Sequence, residues 1–209
     1  NHTYPNTVMD FSGAVARADV PVVSHETGQF QVYPDYREIA KYTGVLYPYN
    51  MEVFRDRLAR AGMSEQAEDF FLASGRWAAE LYKADIEMDL RTEGLAGFQL
   101  LDLQDYPGQG SAYVGILDAF MDSKGLVSPE RWRGFCNEVV PLLLTEKFCW
   151  TEGETLMARV KVAHYAARSL QGTELAWTLR DEQGHVAGKG VCPIVSSGRG
   201  LLEVGDIRL

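Results

Sequence analysis

The chain has 209 residues, of which 46% are hydrophobic and 23% are charged, a composition typical of a globular protein with a buried core. Its net charge is -9 and its Lys and Arg residues form no cluster, which argues against a nucleic acid or an anionic membrane as partner. We therefore expect no nucleic-acid binding. No apolar stretch approaches the ~20 residues of a membrane-spanning helix, so we expect no membrane insertion either.

The cysteines do not form a recognisable metal or redox motif. Cys136, Cys149 and Cys192 include no Cys-x-x-Cys pair, and no His stands at the spacing of a metal ligand. We interpret all three as small apolar side chains that are buried, and we expect no metal and no cofactor.

The first predicted element is a short strand. Residues 20–23 (VPVV) are mostly β-branched, which predicts an apolar strand buried on both faces of a parallel sheet. Residues 24–28 (SHETG) follow, and in (β/α) folds the active site lies at the C-terminal ends of the strands. Glu26 is therefore a candidate catalytic carboxylate. The alternative is a solvated surface group that caps a helix or pairs with an Arg.

A loop of about 25 residues, rich in Tyr, Phe and Pro, comes next in the chain. Loops of this length are uncommon in compact domains unless they are functional. Tyrosines beside a carboxylate suit a sugar, because their rings stack on C–H surfaces while their hydroxyls form hydrogen bonds. Equally, these side chains can fold back onto their own scaffold.

Two helices follow the loop. The spacing of apolar residues predicts a helix over residues 51–61 that ends at Gly62, and a long amphipathic helix from Ser64 that is closed by Gly94. Trp77 belongs to the predicted apolar stripe of the long helix, so we expect it in the core.

A second strand is predicted in the run of residues 95–108, again with polar groups at its C-terminal end. Asp105 and Tyr106 fall where a neighbouring strand would deliver groups to the same site as Glu26. Asp102 interrupts the strand and has to face a polar site or find a partner. A further helix is predicted from Ser128 through Leu142.

These elements predict an α/β region followed by an all-β region, divided into residues 1–143 and 144–209. The first region alternates strands and helices as in a (β/α) fold, but only two such units fit, whereas a complete barrel has eight. The second region alternates with period two, as in an immunoglobulin-like β-sandwich, and its roughly 65 residues fall short of the ~100 of a complete one.

Four segments resemble glycoside hydrolase family 2. Residues 24–34 (SHETGQFQVYP) resemble its seventh barrel strand, which supplies the nucleophile, and residues 101–107 (LDLQDYP) resemble its eighth strand in the β-mannosidase and exo-glucosaminidase branch. Residues 116–118 (ILD) with Lys124 are similar to its next loop, and the β-rich end is similar to its immunoglobulin-like domain. The resemblance implies the last two units of a (β/α)8 TIM barrel and the start of that β-sandwich.

The resemblance also implies roles for individual residues. Glu26 would be the nucleophile, and His25, Asp102, Asp105 and Tyr106 would contact the sugar; the alternatives are a packed histidine and structural hydrogen bonds at the strand ends. Leu101 stands where that branch usually has a Trp that lines the sugar subsite. The general acid/base Glu of the family matches no segment of this sequence.

We therefore predict a C-terminal piece of an exo-acting retaining β-glycoside hydrolase that acts on an oligosaccharide or glycoside and is inactive as this chain alone. A non-catalytic carbohydrate-binding or interaction module is the alternative, and a purely structural fragment is a third. An incomplete barrel leaves a strand edge open, so we expect self-association. Only the resemblance bears on compartment, and it favours the periplasm or the cell exterior.

Overall fold

The computed structural model describes residues 5–106 and 110–209, so His2 and residues 107–109, which include the proline of the second strand motif, lie outside the described residues. The chain divides into two compact units. We call Val23–Ile86 with Phe98–Arg133 the helical unit, and Asn1–Val22 with Glu87–Gly97 and Gly134–Leu209 the β unit. No helix in the described part of the chain is long and apolar enough to cross a membrane.

Two short strands form a small sheet that carries the first candidate site. Strand β1 is Val23–Gly28 and its hydrogen-bonded neighbour β2 is Gly97–Leu101. Backbone bonds from Ala96 N to Val22 O (2.7 Å) and from Gln29 N to Leu101 O (3.0 Å) advance in the same direction along both segments, the order of a parallel pair.

The valines that precede and begin β1 are not buried as predicted. Val20 is 66% exposed and Val23 is 52% exposed, so a strand buried on both faces is wrong. Among the described residues this sheet has two strands, and two strands leave most of their surface without neighbours to cover it. A closed barrel is not seen in the described residues, and membership of a TIM barrel stays a prediction.

Helices make up most of the helical unit. A 3₁₀ turn at Tyr36–Lys41 precedes α2 (Tyr49–Arg60), and a second 3₁₀ turn at Ser64–Gln66 leads into α3 (Ala67–Arg91). A short helix α1 (Ser12–Val15) lies in the β unit, and α4 (Pro129–Arg133) closes the helical unit. Helix α2 ends just before Gly62, which has the positive φ of 71° typical of a helix C-terminus.

The buried stripe of α3 runs through Phe71, Ala78 and Tyr82, and Phe71 and Ala78 pack against Val32. Trp77 is 63% exposed, so its predicted place in the core is wrong. Successive residues of a helix are rotated by about 100°, and Trp77 therefore points away from the face that Ala78 buries.

The β unit consists of two antiparallel sheets. Strands β3 (Val139–Leu144), β4 (Met157–His164) and β7 (Gly200–Arg208) form one sheet in the order β3-β4-β7, and β5 (Thr173–Arg180) pairs with β6 (Val186–Ile194). Leu175 and Trp177 of β5 pack on buried Ala158, Val160 and Ile207 of the three-stranded sheet, so the two sheets face each other across a core. An immunoglobulin-like topology for this pair of sheets stays a prediction.

Strand β3 occupies residues that the sequence predicted as helix. The helix from Ser128 through Leu142 is wrong, because α4 ends at Arg133 and Val139–Leu144 is extended, with Val140, Leu142 and Leu144 buried in alternation. Pro141 cannot continue a helix and is tolerated on an edge strand, which β3 is in this sheet. The last segment of the β unit thus begins at Gly134, whereas the predicted boundary between the two regions lies at residue 143.

The N-terminal segment borders this edge strand. Thr7 N donates to Thr145 O (2.9 Å), and the Thr7 hydroxyl donates to Leu143 O (2.7 Å). Of the cysteines, Cys192 is buried, Cys136 is half-buried and Cys149 is exposed, so burial of all three is wrong.

Candidate functional site

Glu26 lies within β1 and has an unusual backbone conformation. Its φ is 56°, in the left-handed region that residues other than glycine rarely adopt. Gln29 Nε2 donates to Glu26 Oε2 at 2.9 Å, and His25 Nδ1 lies 3.8 Å from Glu26 Oε1. The Glu26 side chain is 52% exposed. One carboxylate oxygen is thus oriented by an amide while the group as a whole stays accessible.

The turn after Glu26 is packed against a buried tyrosine. Gly28 has a φ of 108°, and a Cβ on this residue would lie 2.3 Å from the ring of Tyr82. The Tyr82 hydroxyl lies within hydrogen-bond distance of the carbonyl oxygens of Asp102 (2.9 Å) and Val114 (2.7 Å). Tyr82 therefore connects the end of β1 to the segments that follow β2, and Asp102 takes part through its backbone.

Asp105 forms a buried ion pair with Lys124. Lys124 Nζ lies 2.7 Å from Asp105 Oδ1, and both side chains are 4% exposed. Gly115 N also donates to Oδ1 (3.0 Å), and Lys124 Nζ donates to Gly115 O (2.9 Å). The second carboxylate oxygen, Oδ2, has no hydrogen-bond partner among the described residues.

Two more carboxylates surround this pair. Glu38 is 3% exposed and accepts a bond from the Tyr42 hydroxyl (3.0 Å). Asp118 accepts from Lys41 and from the backbone N–H groups of Phe120 (2.9 Å) and Asp122 (3.0 Å). The sequence suggested no role for Glu38 or Lys41, because Asp105 and Asp118, whose charges act on Glu38, and Asp118, which pairs with Lys41, are distant from them in the chain.

Burial and the neighbouring charges move the pKa values of these groups in different directions. Burial raises the pKa of Glu38 and of Asp105, and in Asp105 the Lys124 ammonium acts against that rise. Burial also tends to raise the pKa of Asp118, but Lys41 and the backbone donors outweigh it and the pKa is lowered. Burial raises the pKa of Tyr113 to about 12.

Asp105 and Tyr106 line a small cavity of about 50 Å³. Its other walls come from the aromatic loop after β1 and from the segment after β2: Tyr42, Leu46, Tyr47, Pro48, Asn50, Tyr113 and Ala119. A second, more open cavity of about 270 Å³ shares Tyr42, Leu46 and Ala119 with it and includes exposed Val45 and Phe120. We call these two cavities together the aromatic cleft.

The predicted site residues thus lie in two places in the helical unit. Glu26 and His25 lie within β1, whereas Asp105 and Tyr106 are in the aromatic cleft, whose lining includes neither Glu26 nor His25. The sequence did not indicate that Asp105 pairs with Lys124, although both residues belong to segments that carry the family resemblance.

The described residues contain no group of three or more His, Cys, Asp or Glu side chains that could hold a metal ion. One family matches part of the chain: residues 154–209 match a domain of unknown function (DUF8488). The matched region covers about a quarter of the sequence, lies in β4 to β7, and contains neither Glu26 nor Asp105. No curated protein matches the chain.

Proposed function

We propose that this chain carries the nucleophile side of the active site of an exo-acting retaining β-glycoside hydrolase, with Glu26 as the nucleophile. The observation that supports it best is the conformation of Glu26. Its left-handed backbone interrupts the alternation of side chains within β1, Gln29 orients one oxygen at 2.9 Å, and the carboxylate remains accessible. Backbone strain of this kind persists where the surrounding structure enforces it, and it clusters at functional sites.

The chemistry needs a second carboxyl group. A retaining glycosidase places its two carboxyl groups about 5–5.5 Å apart: one attacks the anomeric carbon, and the other protonates the leaving oxygen and then activates water. In our proposal the second group comes from an earlier strand of a longer polypeptide, as the family resemblance implies. In our proposal His25, whose Nδ1 lies 3.8 Å from Glu26 Oε1, binds the carboxylate or a sugar hydroxyl in the complex with substrate.

The test is covalent trapping in that longer polypeptide. A 2-deoxy-2-fluoro β-glycoside with a good leaving group is expected to stall the reaction as a glycosyl ester on Glu26, detectable by mass spectrometry of the peptide that contains residues 24–34. Glu26→Ala is expected to lower turnover by several orders of magnitude while substrate affinity changes little, because the bond to the anomeric carbon forms only on the way to the intermediate.

Azide gives an independent readout of the same residue. It is expected to restore activity to Glu26→Ala by attacking from the vacated face, and the glycosyl azide should have inverted configuration. Glu65→Ala is a matched control, since Glu65 is an exposed glutamate of the helical unit that lines neither cavity of the aromatic cleft. A labelled residue other than Glu26, or a glycosyl azide of retained configuration, would rule out this assignment.

A non-catalytic carbohydrate-binding module is the second candidate, and the aromatic cleft favours it. The cleft combines exposed aromatic side chains with buried Asp105, whose Oδ2 atom has no donor among the residues that the structure describes, and these features suit binding without requiring chemistry. Sugar binding by the longer polypeptide without any labelling of Glu26 would support this alternative.

A further inference from the structure

A buried carboxylate in the loop after β1 has no cationic partner. Glu38 lies in the 3₁₀ turn Tyr36–Lys41 and is 3% exposed. Its Oε1 atom accepts a hydrogen bond from the neutral Tyr42 hydroxyl at 3.0 Å, and Glu38 belongs to none of the ion pairs among the described residues. The titratable and charged groups that act on it come from its own loop and from the segment after β2: Tyr42, Asp105, Tyr113, Asp118 and Lys124.

The lysines beside this carboxylate are bound to other acidic groups. Lys41 and Lys124 line the same cavity of about 320 Å³ as Glu38. Lys124 Nζ lies 2.7 Å from Asp105 Oδ1, and Lys41 donates to Asp118. Neither ammonium group can therefore neutralise Glu38 without leaving another carboxylate unpaired.

A count of charges shows an excess of acid in this cluster. It contains three carboxylates and two ammonium groups: Glu38, Asp105, Asp118, Lys41 and Lys124. Asp35 and Arg37 line the same cavity but pair with each other at 2.8 Å, and exposed Asp122, which also accepts from Lys41 (2.7 Å), adds a further negative charge. A proton on the one buried carboxylate without a counter-ion removes the excess with the least rearrangement.

The balance of local influences on Glu38 has the same direction. Burial raises its pKa, and the charges of Asp105 and Asp118 add to the rise. The hydrogen bond from Tyr42 and the charge of Lys124 oppose it only in part.

We propose that Glu38 is a proton-binding switch, which keeps its proton at pH values where an exposed glutamate has lost it and loosens its loop when the proton leaves. Tyr42, which donates to Glu38, also lines both cavities of the aromatic cleft, so the switch acts on a wall of that cleft. The inference follows from the charges and burial of the described residues and does not depend on the proposed function.

The pH dependence of the loop has a defined sign. The folded chain binds the Glu38 proton more tightly than the unfolded chain, in which the pKa is near its ordinary value of 4.5. The stabilisation is therefore fully present below about pH 4.5 and is lost as pH rises through the raised pKa. Between these two pKa values the equilibrium constant for opening of the loop should rise by up to about tenfold per pH unit.

Two measurements on the 209-residue chain test the switch. A ¹³C NMR titration of Glu38 Cδ from about pH 3 to about pH 8 is expected to have its midpoint above the ordinary value of 4.5. Hydrogen exchange on peptides covering residues 36–49, corrected for the intrinsic effect of pH on exchange, is expected to show protection that falls as pH rises. A midpoint at or below 4.5, or protection that does not fall, overturns the proposal.

Three variants assign the effect to Glu38. Glu38→Gln mimics the protonated carboxyl, so its loop should match the wild type near pH 4 and be better protected than the wild type above the midpoint. Tyr42→Phe removes a donor that favours the charged form, so the Glu38 midpoint should move upward. Glu65→Gln is the matched control, since Glu65 is an exposed glutamate of the other 3₁₀ turn, and it should leave midpoint and protection unchanged.

Protection in Glu38→Gln that falls with pH as steeply as in the wild type would place the titrating group elsewhere and refute the switch. If Glu38→Gln does not fold, the wild-type midpoint and its displacement in Tyr42→Phe decide the matter. A downward displacement in that variant would mean that Tyr42 stabilises the protonated form, contrary to the proposal.

Discussion

Replacing Lys124 by Met is expected to lower the free energy of unfolding by about 3–5 kcal/mol at neutral pH, because one partner of a buried ion pair is removed and the other is left behind. Both side chains of the pair are 4% exposed, and Lys124 Nζ also donates to Gly115 O at 2.9 Å. Met has nearly the same length and keeps the packing, so the loss reports on charge and hydrogen bonding.

The loss should depend on pH in a defined direction. Burial already raises the pKa of Asp105 above its ordinary value of 3.8, and Lys124 is the largest influence that lowers it. Without Lys124 the pKa of Asp105 in the folded state rises further. The folded variant therefore binds the carboxyl proton of Asp105 more tightly than the unfolded chain does. The stability of the variant therefore falls as pH rises from about 4 through the raised pKa. Relative to the wild type, the loss should be smallest near pH 4 and grow toward neutrality.

Urea unfolding combined with hydrogen exchange on peptides from Phe98–Arg133 would measure the loss of stability in the helical unit at pH 4 and at neutral pH. Lys41→Met is the matched control: Lys41 is 38% exposed, and Asp118 keeps its two backbone donors, so about 1 kcal/mol or less is expected. A loss for Lys124→Met that is independent of pH, or no larger than that of the control, would show that the ion pair is not what stabilises this region.

Four further predictions concern packing, activity and assembly. Gly115→Ala is expected to destabilise the chain by about 3 kcal/mol or more in urea unfolding, because its Cβ would lie 2.2 Å from the backbone carbon of Gln104. Gly44→Ala, with no atom within 4 Å of the added Cβ, should be neutral or stabilising by up to about 1 kcal/mol, and equal losses would refute the steric reasoning. Tyr82→Phe should cost about 1–3 kcal/mol in the same assay, since the single hydroxyl hydrogen that lies between the carbonyl oxygens of Asp102 and Val114 is lost; an unchanged midpoint would contradict this. The 209-residue chain should show no turnover on a panel of aryl β-glycosides, and turnover that Glu26→Gln abolishes would sink that expectation. Sedimentation velocity should show association as concentration rises, and a monomer at every concentration would speak against an exposed strand edge.

Local signals predicted helices α2 and α3 well. The end of α2 before Gly62 and the start of the long helix near Ser64 depend on a positive φ and on polar residues in the first turn, which are properties of a few neighbouring residues. The same reasoning predicted strands β4 to β7 of the β unit, because alternation with period two is also local.

The errors arose where a pattern fits two structures. The apolar residues of a long helix do not determine to within one residue which face of the helix is buried. Trp77 was predicted in the core for this reason, whereas Ala78 is buried and Trp77 is exposed. The run Val139–Leu144 has apolar residues at spacings that fit either a helix or a strand, and Pro141 was the signal that should have decided for an edge strand.

The candidate site shows the limit of sequence reasoning most clearly. Glu26 was predicted as a site residue because a carboxylate follows an apolar run, but the sequence pattern gave no sign of its left-handed backbone or of the hydrogen bond from Gln29, three residues further on. Asp105 was predicted as a polar ligand, whereas its pairing with Lys124 and the proximity of buried Glu38 join segments that are distant in the chain. No local pattern encodes such contacts.

The pairing of strand β3 with β4 has a practical consequence for recombinant expression. The family match begins at residue 154, yet β4 pairs with β3 from Val139↔His164 to Leu144↔Arg159. A polypeptide trimmed to the matched residues would lack β3 and with it the partner of one whole side of β4. The exposed N–H and C=O groups of that strand would then be available to pair with another molecule, a known route to aggregation. The segment that matches the family is therefore shorter than the segment of chain that forms the complete three-stranded sheet.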